Sequence, residues 1–287
     1  MEIVRCDGPQ EFLDITTAYR ASEPLTTNVM GSVAINVIAT PKLYDAYWWW
    51  VARNGETVVG AAMRTAPHYL WLGPMPLAAS AELATAVAVH DDELPGIVGP
   101  DTVCGSFLRS YAHTGSVGSR RTSQLGREDL VQTIDELRPS SVEGTLEPLS
   151  DSNLETAVEW SKAFSAEVEN DADSNAPDYV ERVKRRNLFL WRHNGQLVSM
   201  AGLASTVRTP AGFITRVGPV YTPPKFRRHG YGGAVTGAVT ALIMETGARA
   251  MLFSDAGNPT SNHVYRDLGY LIVDTVQHFD FIAPATI

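Results

Sequence analysis

At 287 residues the chain can form one large core or two ordinary ones, and 44% hydrophobic with 19% charged residues exclude a disordered protein. The formal net charge of −9 opposes nonspecific attraction to a nucleic-acid backbone or an anionic membrane, and fits cationic or amine-bearing partners better. Cys6 and Cys104, far apart and without metal-ligand spacing, give neither a disulfide framework nor a zinc knuckle, and read as two free buried thiols. The start, MEIVRCDGPQEF, does not resemble a secretory leader, and no stretch reaches the roughly 18 apolar residues of a membrane span. A cytoplasmic protein without nucleic-acid or membrane partners is the expectation.

Residues 10–30 read as helix, broken at Ser22-Glu23-Pro24, and Val29 to Thr40 as a second helix stopped by Pro41. Tyr47 to Ala52 and Thr57 to Met63 are strand-like runs, and Asn54-Gly55 between them suits a tight hairpin turn because both residues tolerate positive φ. Alternation puts Trp48 and Trp50 on one face of the first strand and Trp49 on the other, for packing or for recognition of an apolar substrate. His68 to Leu72 reads as strand, Ala78 to Val89 as helix, Gly115 to Gly126 as a polar connection and Asp129 to Leu137 as strand. Pro139-Ser140-Ser141 marks the best boundary, dividing the chain into residues 1–135, a linker 136–143 and residues 144–287.

Gly144 to Leu149 predicts a strand, and Ser150 or Asp151 a cap for a helix over Asn153 to Glu169, whose Ala157, Trp160, Phe164 and Val168 share one face. A polar loop, Asn170 to Asn175, leads to a helix over Pro177 to Arg186. Asn187 to Trp191 and Gln196 to Thr206 then flank His193-Asn194-Gly195, repeating the earlier hairpin; Gly60-Ala61 and Ala201-Gly202 follow at matching places. That parallel points to a shared fold for the two halves. Phe213 to Tyr221 reads as strand, Gly232 to Thr246 as helix closed by Gly247, Arg249 to Ser254 as strand, Pro259 to Leu268 as helix, and Tyr270 to Phe281 as a strand pair or one bent strand. The order from residue 144 is β-α-α-β-β-β-α-β-α-β, an α/β (α+β) architecture with a mixed sheet between helices.

The chemistry concentrates in VGPVYTPPKFRRHGYGGAVTGAVTAL. Pro223-Pro224 stops the strand, and the glycines let the backbone turn into a helix whose first N–H groups, with Arg228, can collect phosphate oxygens. Gly230-x-Gly232 lacks the third glycine of a dinucleotide fingerprint, and no Lys-Ser/Thr follows as in a nucleoside triphosphate loop. A tight connection with no ligand is the alternative.

The run Arg227-Arg228-His229-Gly230-Tyr231-Gly232 resembles the Gln/Arg-x-x-Gly-x-Gly/Ala signature of the GNAT acyltransferase superfamily, and SDAGNPTSNHVYRDLGY resembles its closing motif. The likeness covers residues 144–283 and is closest to the bacterial group with an FR47-like carboxy-terminal domain preceded by a degenerate copy, hence a tandem of GNAT-like folds. It implies that backbone amides from Arg228 through His229, Gly230, Tyr231, Gly232 and Gly233 hold the pyrophosphate of acetyl-coenzyme A or another short acyl-coenzyme A. It implies too that the main chain at Val220 and Tyr221 pairs with the pantetheine arm, that Asn258, Ser261 and Asn262 lie beside it, and that Tyr265 protonates the departing thiolate. The first half lacks a matching loop, so one site per chain is expected.

Independently of the resemblance, Tyr265 falls one turn beyond Ser261 on a helical face, where a phenol can donate to a developing thiolate or serve as a core tyrosine. An attacking amine needs a proton acceptor. Glu167 is the first candidate, with a solvated or capping acid as its alternative; Asp255 is the second, with a turn cap as its alternative. Glu169, Asp171 and Asp173 lie in the same acidic stretch. His193 reads as exposed, His229 as a neighbour of phosphate and His263 as a surface residue; with His68, His90, His113 and His278 they are scattered, so no metal site is expected. Three functional classes stand: N-acetyl transfer to a primary amine of a small molecule or peptide by direct attack, a coenzyme A binding sensor without turnover, and a protein-interaction module. A homodimer is left open.

Overall fold

The computed structural model describes residues 1–90, 93–115, 122–168 and 178–282. In chain order the first half supplies β1 (Glu2–Arg5), α1 (Pro9–Ile15), α2 (Thr17–Ser22), α3 (Asn28–Ala39), β2 (Tyr47–Asn54), β3 (Thr57–Thr65), β4 (Leu70–Leu72), α4 (Leu77–His90), β5 (Gly96–Gly99), α5 (Asp101–Tyr111) and β6 (Thr122–Thr133). The second half supplies β7 (Thr145–Pro148), α6 (Leu154–Glu167), α7 (Tyr179–Lys184), β8 (Asn187–His193), β9 (Gln196–Leu203), β10 (Val207–Thr209), β11 (Gly212–Tyr221), α8 (Tyr231–Glu245), β12 (Arg249–Asp255), α9 (Pro259–Leu268) and β13 (Leu271–Ile282).

All these strands join one sheet in the order β1-β2-β3-β4-β5-β13-β6-β12-β11-β9-β8-β7, with β10 attached to β11. The last strand of each half lies among strands of the other. β6 is hydrogen-bonded to β12 and β13, and β13 to β5 and β6. Their mutual antiparallel ladder runs from Thr122 opposite Ile282 to Thr133 opposite Leu271, interrupted by two bulges. Of the two alternatives over Tyr270 to Phe281, a strand pair or one bent strand, the structure has one bulged strand.

Helices cover both faces of the sheet. α1, α2 and α3 lie over Trp49, Val51, Ala61 and Met63, whereas α4 and α5 lie over Trp50, Ala62, Leu70, Leu72 and Ile97. The alternation of the Tyr47-Trp48-Trp49-Trp50 run thus feeds two cores. Trp49 and Trp50 are each 1% exposed, and Trp48 stacks on Trp50 at 6.5 Å. Burial on this scale contributes on the order of 2–3 kcal/mol per large side chain. In the second half α8 and α9 share a face with α4 and α5, and α6 and α7 cover the opposite face around Trp160, Leu190 and Met200.

Several local expectations change in the structure. The helix expected over residues 10–30 is divided at Thr16, whose hydroxyl donates back to the Phe12 carbonyl at 2.5 Å, a side-chain bond that competes with the helix ladder. The two hairpins turn on different residues. Asn194 and Gly195 both have positive φ, but in the first hairpin Asn54 ends its strand opposite Thr57, and the turn is Gly55-Glu56 with only Gly55 at positive φ. Neither Ser150 nor Asp151 caps α6. Asn153 stands there, its side chain accepting from the Ser150 N–H at 2.8 Å. β6 begins earlier and stops earlier than the expected strand, and the short β10 was not anticipated. Residues 134–143 instead run along α8 and α9. Arg138 N–H donates to the Leu268 carbonyl, and Leu137 and Val142 pack into the α8 core.

A Cβ on Gly96 would sit 2.2 Å from the Phe279 carbonyl oxygen of β13. Gly96→Ala is therefore expected to lower stability by roughly 1–3 kcal/mol in urea unfolding. An unchanged midpoint would show that β13 does not lie on β5 in solution.

Candidate active site

The site begins where two parallel strands part. β11 and β12 pair from Ile214 opposite Arg249 to Val217 opposite Leu252. Beyond that point β11 stays with β9 through Val220 and Tyr221, while β12 stays with β6 through Phe253, Ser254 and Asp255. A bulge between Val217 and Val220 turns β11 away; it contains Gly218 at φ 145 and Pro219, which has no N–H to give a ladder. The main chain at Val220 and Tyr221 borders the opening.

Above it, Pro224–Phe226 forms one 3-10 turn, Arg228 takes φ 65, and Gly230 takes φ 79 as the residue before α8. The helix starts at Tyr231, one residue before the expected Gly232, and no side chain caps it. Its first N–H groups, those of Tyr231, Gly232 and Gly233, are thus of the kind that gathers an anion. The loop is braced from within and from behind. The His229 ring nitrogen Nδ1 lies 2.8 Å from the Arg227 carbonyl, and its ring stacks on Tyr231 at 5.6 Å. His193, expected to be exposed, is half-buried: its ring lies 5.2 Å from that of Tyr231, and its Nδ1 is 2.7 Å from the Glu143 carbonyl. Val142 Cγ2 would lie 2.8 Å from a Cβ on Gly230.

Glu167, at the end of α6, reaches this loop. Arg227 Nη2 donates to its two carboxylate oxygens at 2.6 and 2.7 Å, and Tyr221 Oη donates at 3.5 Å. The pair is about half exposed, so it contributes less than about 1 kcal/mol and serves to place rather than to stabilise. Burial and the Glu167 carboxylate raise the Tyr221 phenol above its ordinary value. Arg228 is exposed beside it. Glu169, Asp171 and Asp173 lie outside the described residues.

Below the opening, α9 is fastened by its polar residues. Asn258 caps the helix by accepting from the Ser261 N–H at 3.1 Å. Asn262 accepts from the Ser254 hydroxyl at 2.7 Å and donates to the Asp255 carbonyl at 3.0 Å. Asp255 accepts from the Gly257 N–H at 2.7 Å, the turn-capping alternative for this residue. His263 is on the surface and pairs with Asp267. Tyr265 is 9% exposed, edge-on to Tyr270 at 6.1 Å, and α8 meets α9 where Gly233 faces Val264. Burial pushes the Tyr265 phenol up to about 12, so it carries its proton at neutral pH.

The FR47-like protein family matches residues 194–278, which hold the opening, the loop and α9. No curated protein matches the chain. Among solved structures, a GNAT-family acetyltransferase from Colwellia psychrerythraea superposes with a TM-score of 0.55 over 98% of this chain and 100% of that one, at 13% identity. A tandem GNAT protein from the clavulanic acid biosynthesis pathway gives 0.58 over 99% of each chain at 13% identity. A GCN5-related N-acetyltransferase from Kribbella flavida gives 0.55 over 91% and 95% at 16% identity. The fold is that of the GNAT acetyltransferases.

On the sheet face opposite α8 and α9, the GNAT-like fold of this chain gathers polar residues that sequence reasoning left scattered. His278 Nε2 lies 2.8 Å from Asp129 Oδ2, Arg127 pairs with the same carboxylate at 2.9 Å, and Tyr69 donates to Asp280. Burial opposes ionisation of Asp129, but the hydrogen bond and charge of His278, with Arg127, outweigh it and hold the carboxyl below its ordinary range. Asp129 and His278 are 149 residues apart, and only the β6–β13 ladder joins them. The available signal was alternation along the two last strands, which puts Asp129 in step with Val131, and His278 with Val276. Among the described residues no group of His, Cys, Asp and Glu could hold a metal ion, and no helix is long and apolar enough to cross a membrane.

A carboxyl with a depressed folded-state pKa contributes stability above its unfolded value and loses it as pH falls through the folded one. Asp129→Asn should therefore be less stable than the parent at pH 7, and the gap should narrow as pH drops below about 4 in thermal or urea melts. A gap independent of pH would remove the ionised Asp129 from the account.

Proposed function

We propose that this protein is an acyl-coenzyme A dependent N-acyltransferase, moving an acetyl or other short acyl group to a primary amine by direct attack. The observation that carries it is the coincidence of an uncapped helix start, a left-handed loop and a strand opening with a buried protonated phenol beneath. Residues 228–233 fit a pyrophosphate: Gly230 has a backbone few side chains adopt, and a Cβ there would meet Val142. The main chain of Val220 and Tyr221 offers a ladder edge to an extended arm, with Asn258, Ser261 and Asn262 holding α9 against it. When bound, the co-substrate supplies a thioester carbonyl and a thiol leaving group. Tyr265 Oη holds the proton a departing thiolate requires. Neither cysteine is placed for an acyl-enzyme, because burial raises both thiols to about 12 and leaves them protonated.

The same reading takes the chain as a tandem, with residues 1–135 a degenerate copy, 136–143 a connection and 144–287 the catalytic copy. In the first half the connection from β4 to α4 is Gly73-Pro74-Met75-Pro76, two of whose residues have no N–H to offer a phosphate. Tyr19 Oη donates to the Pro74 carbonyl at 2.7 Å and fills the space beside Gly73. Counting from the residue before each helix, Phe107 of α5 stands where Tyr265 stands in α9. One site per chain follows. Because Glu167 and Asp255 are both engaged locally, a coenzyme A binding sensor without turnover is the second reading.

Titration calorimetry with acetyl-coenzyme A should give one site per chain. No binding to folded protein would overturn the assignment, and two equal sites would overturn the degenerate first half. Binding without transfer to a broad amine panel would select the sensor. Tyr265→Phe should lower kcat by about 100-fold with cofactor affinity kept, within the usual range for a lost general acid; undiminished turnover would remove its role.

A further inference from the structure

Among the described residues, Arg216 is a cation without a counter-ion. It lies on β11 between Thr215 and Val217, and its guanidinium stacks over the Phe253 ring at 5.9 Å. Its Nε is sealed from solvent and meets no acceptor. Among the described residues no carboxylate pairs with it, and burial disfavours its ionised form. Two acids on this face are engaged elsewhere: Asp129 by Arg127 and His278, Asp280 by Tyr69. A guanidinium does not shed its proton, so withdrawing it from water unpaired is unfavourable unless an anion arrives.

The surroundings are aromatic. Tyr44, Tyr69, Trp71, Phe253 and Arg216 are all partly buried rather than sealed, and Trp71 meets Phe253 edge to face at 5.5 Å. They lie on the face opposite α8 and α9, with Ile214, Val131 and Met251. Arg216 is two residues before Gly218, where β11 begins to part from β12, and four before Val220, about 13 Å along a strand. The arginine side chain and an extended acceptor together span that length.

Resting on the acyltransferase reading, we infer that the acceptor is an amine carrying a carboxylate, an amino acid or short peptide whose carboxylate pairs with Arg216 against Phe253 while its amine faces the strand opening. A planar guanidinium takes a carboxylate through two parallel hydrogen bonds, which fixes orientation as well as charge. The aromatic walls receive the apolar body of the same molecule.

The test uses the full chain and matched pairs: α-, β- and γ-amino acids and dipeptides against the same amines lacking the carboxylate. Thiol release with acetyl-coenzyme A gives kcat and KM, and calorimetry of the corresponding N-acetyl products with coenzyme A-loaded protein gives binding without turnover. Expected is a preference of roughly 10- to 100-fold in kcat/KM, or in product affinity, for carboxylate-bearing members. It should collapse in Arg216→Gln, return in part in Arg216→Lys, and leave acetyl-coenzyme A affinity unchanged in both. Equal use of the amines lacking the carboxylate, a preference that survives Arg216→Gln, or no binding by any carboxylate-bearing member overturns the inference. Loss of acetyl-coenzyme A binding in the parent overturns the acyltransferase reading instead, so the two failures are told apart. Should Arg216→Gln fail to fold, Phe253→Leu, which removes only the stacking ring, must weaken the same preference for the inference to stand.

Discussion

The antiparallel ladder between β6 and β13 is the constraint on which the rest of the molecule depends. Each strand belongs by sequence to one half and by hydrogen bonding to the other. A sheet edge left at β5 or at β12 would present unpaired backbone to solvent; exchanging the two strands removes both edges and makes one sheet of the two halves. Gly96 is small because the Phe279 backbone passes over it, and Gly269, the left-handed cap that ends α9, has the Glu136 carbonyl where a Cβ would stand. Glycines at these places mark backbone meeting backbone.

That ladder also builds the polar cluster on the face opposite α8 and α9. Asp129 and His278 come from the two exchanged strands, and a buried carboxylate between an imidazole and a guanidinium is tolerable only because both partners are present. Beside it the parting of β11 from β12 opens the sheet at the one place where β11 holds a bulge, a glycine and a proline together. The uncapped start of α8 on one face and the guanidinium of Arg216 on the other then flank the same opening.

The polar residues around the loop and α9 hold that region in shape. Asn258, Asn262 and Asp255 spend their side chains on helix and turn hydrogen bonds, and His229, His193 and Val142 brace the loop from behind. Arg227 binds Glu167 and so couples the loop to the end of α6. Residues 136–143, which composition marks as a linker, are part of this bracing because Leu137 and Val142 are apolar and find the α8 core.

Periodicity and turn chemistry alone determined most elements of the second half, including α9 at its observed bounds and the loop before α8, because 3.6-residue and two-residue repeats and glycine-proline punctuation are local signals. The alternation of Trp48, Trp49 and Trp50 was legible for the same reason. Tertiary structure alone decided that the last strands are exchanged, that Asp129 meets His278, that Glu167 is tied to Arg227, and that Arg216 stacks over Phe253 with no carboxylate beside it among the described residues. None of these follows from local pattern: a strand's neighbour is chosen by hydrogen bonds and buried area summed over the whole sheet, and a charge's partner by the packing that results.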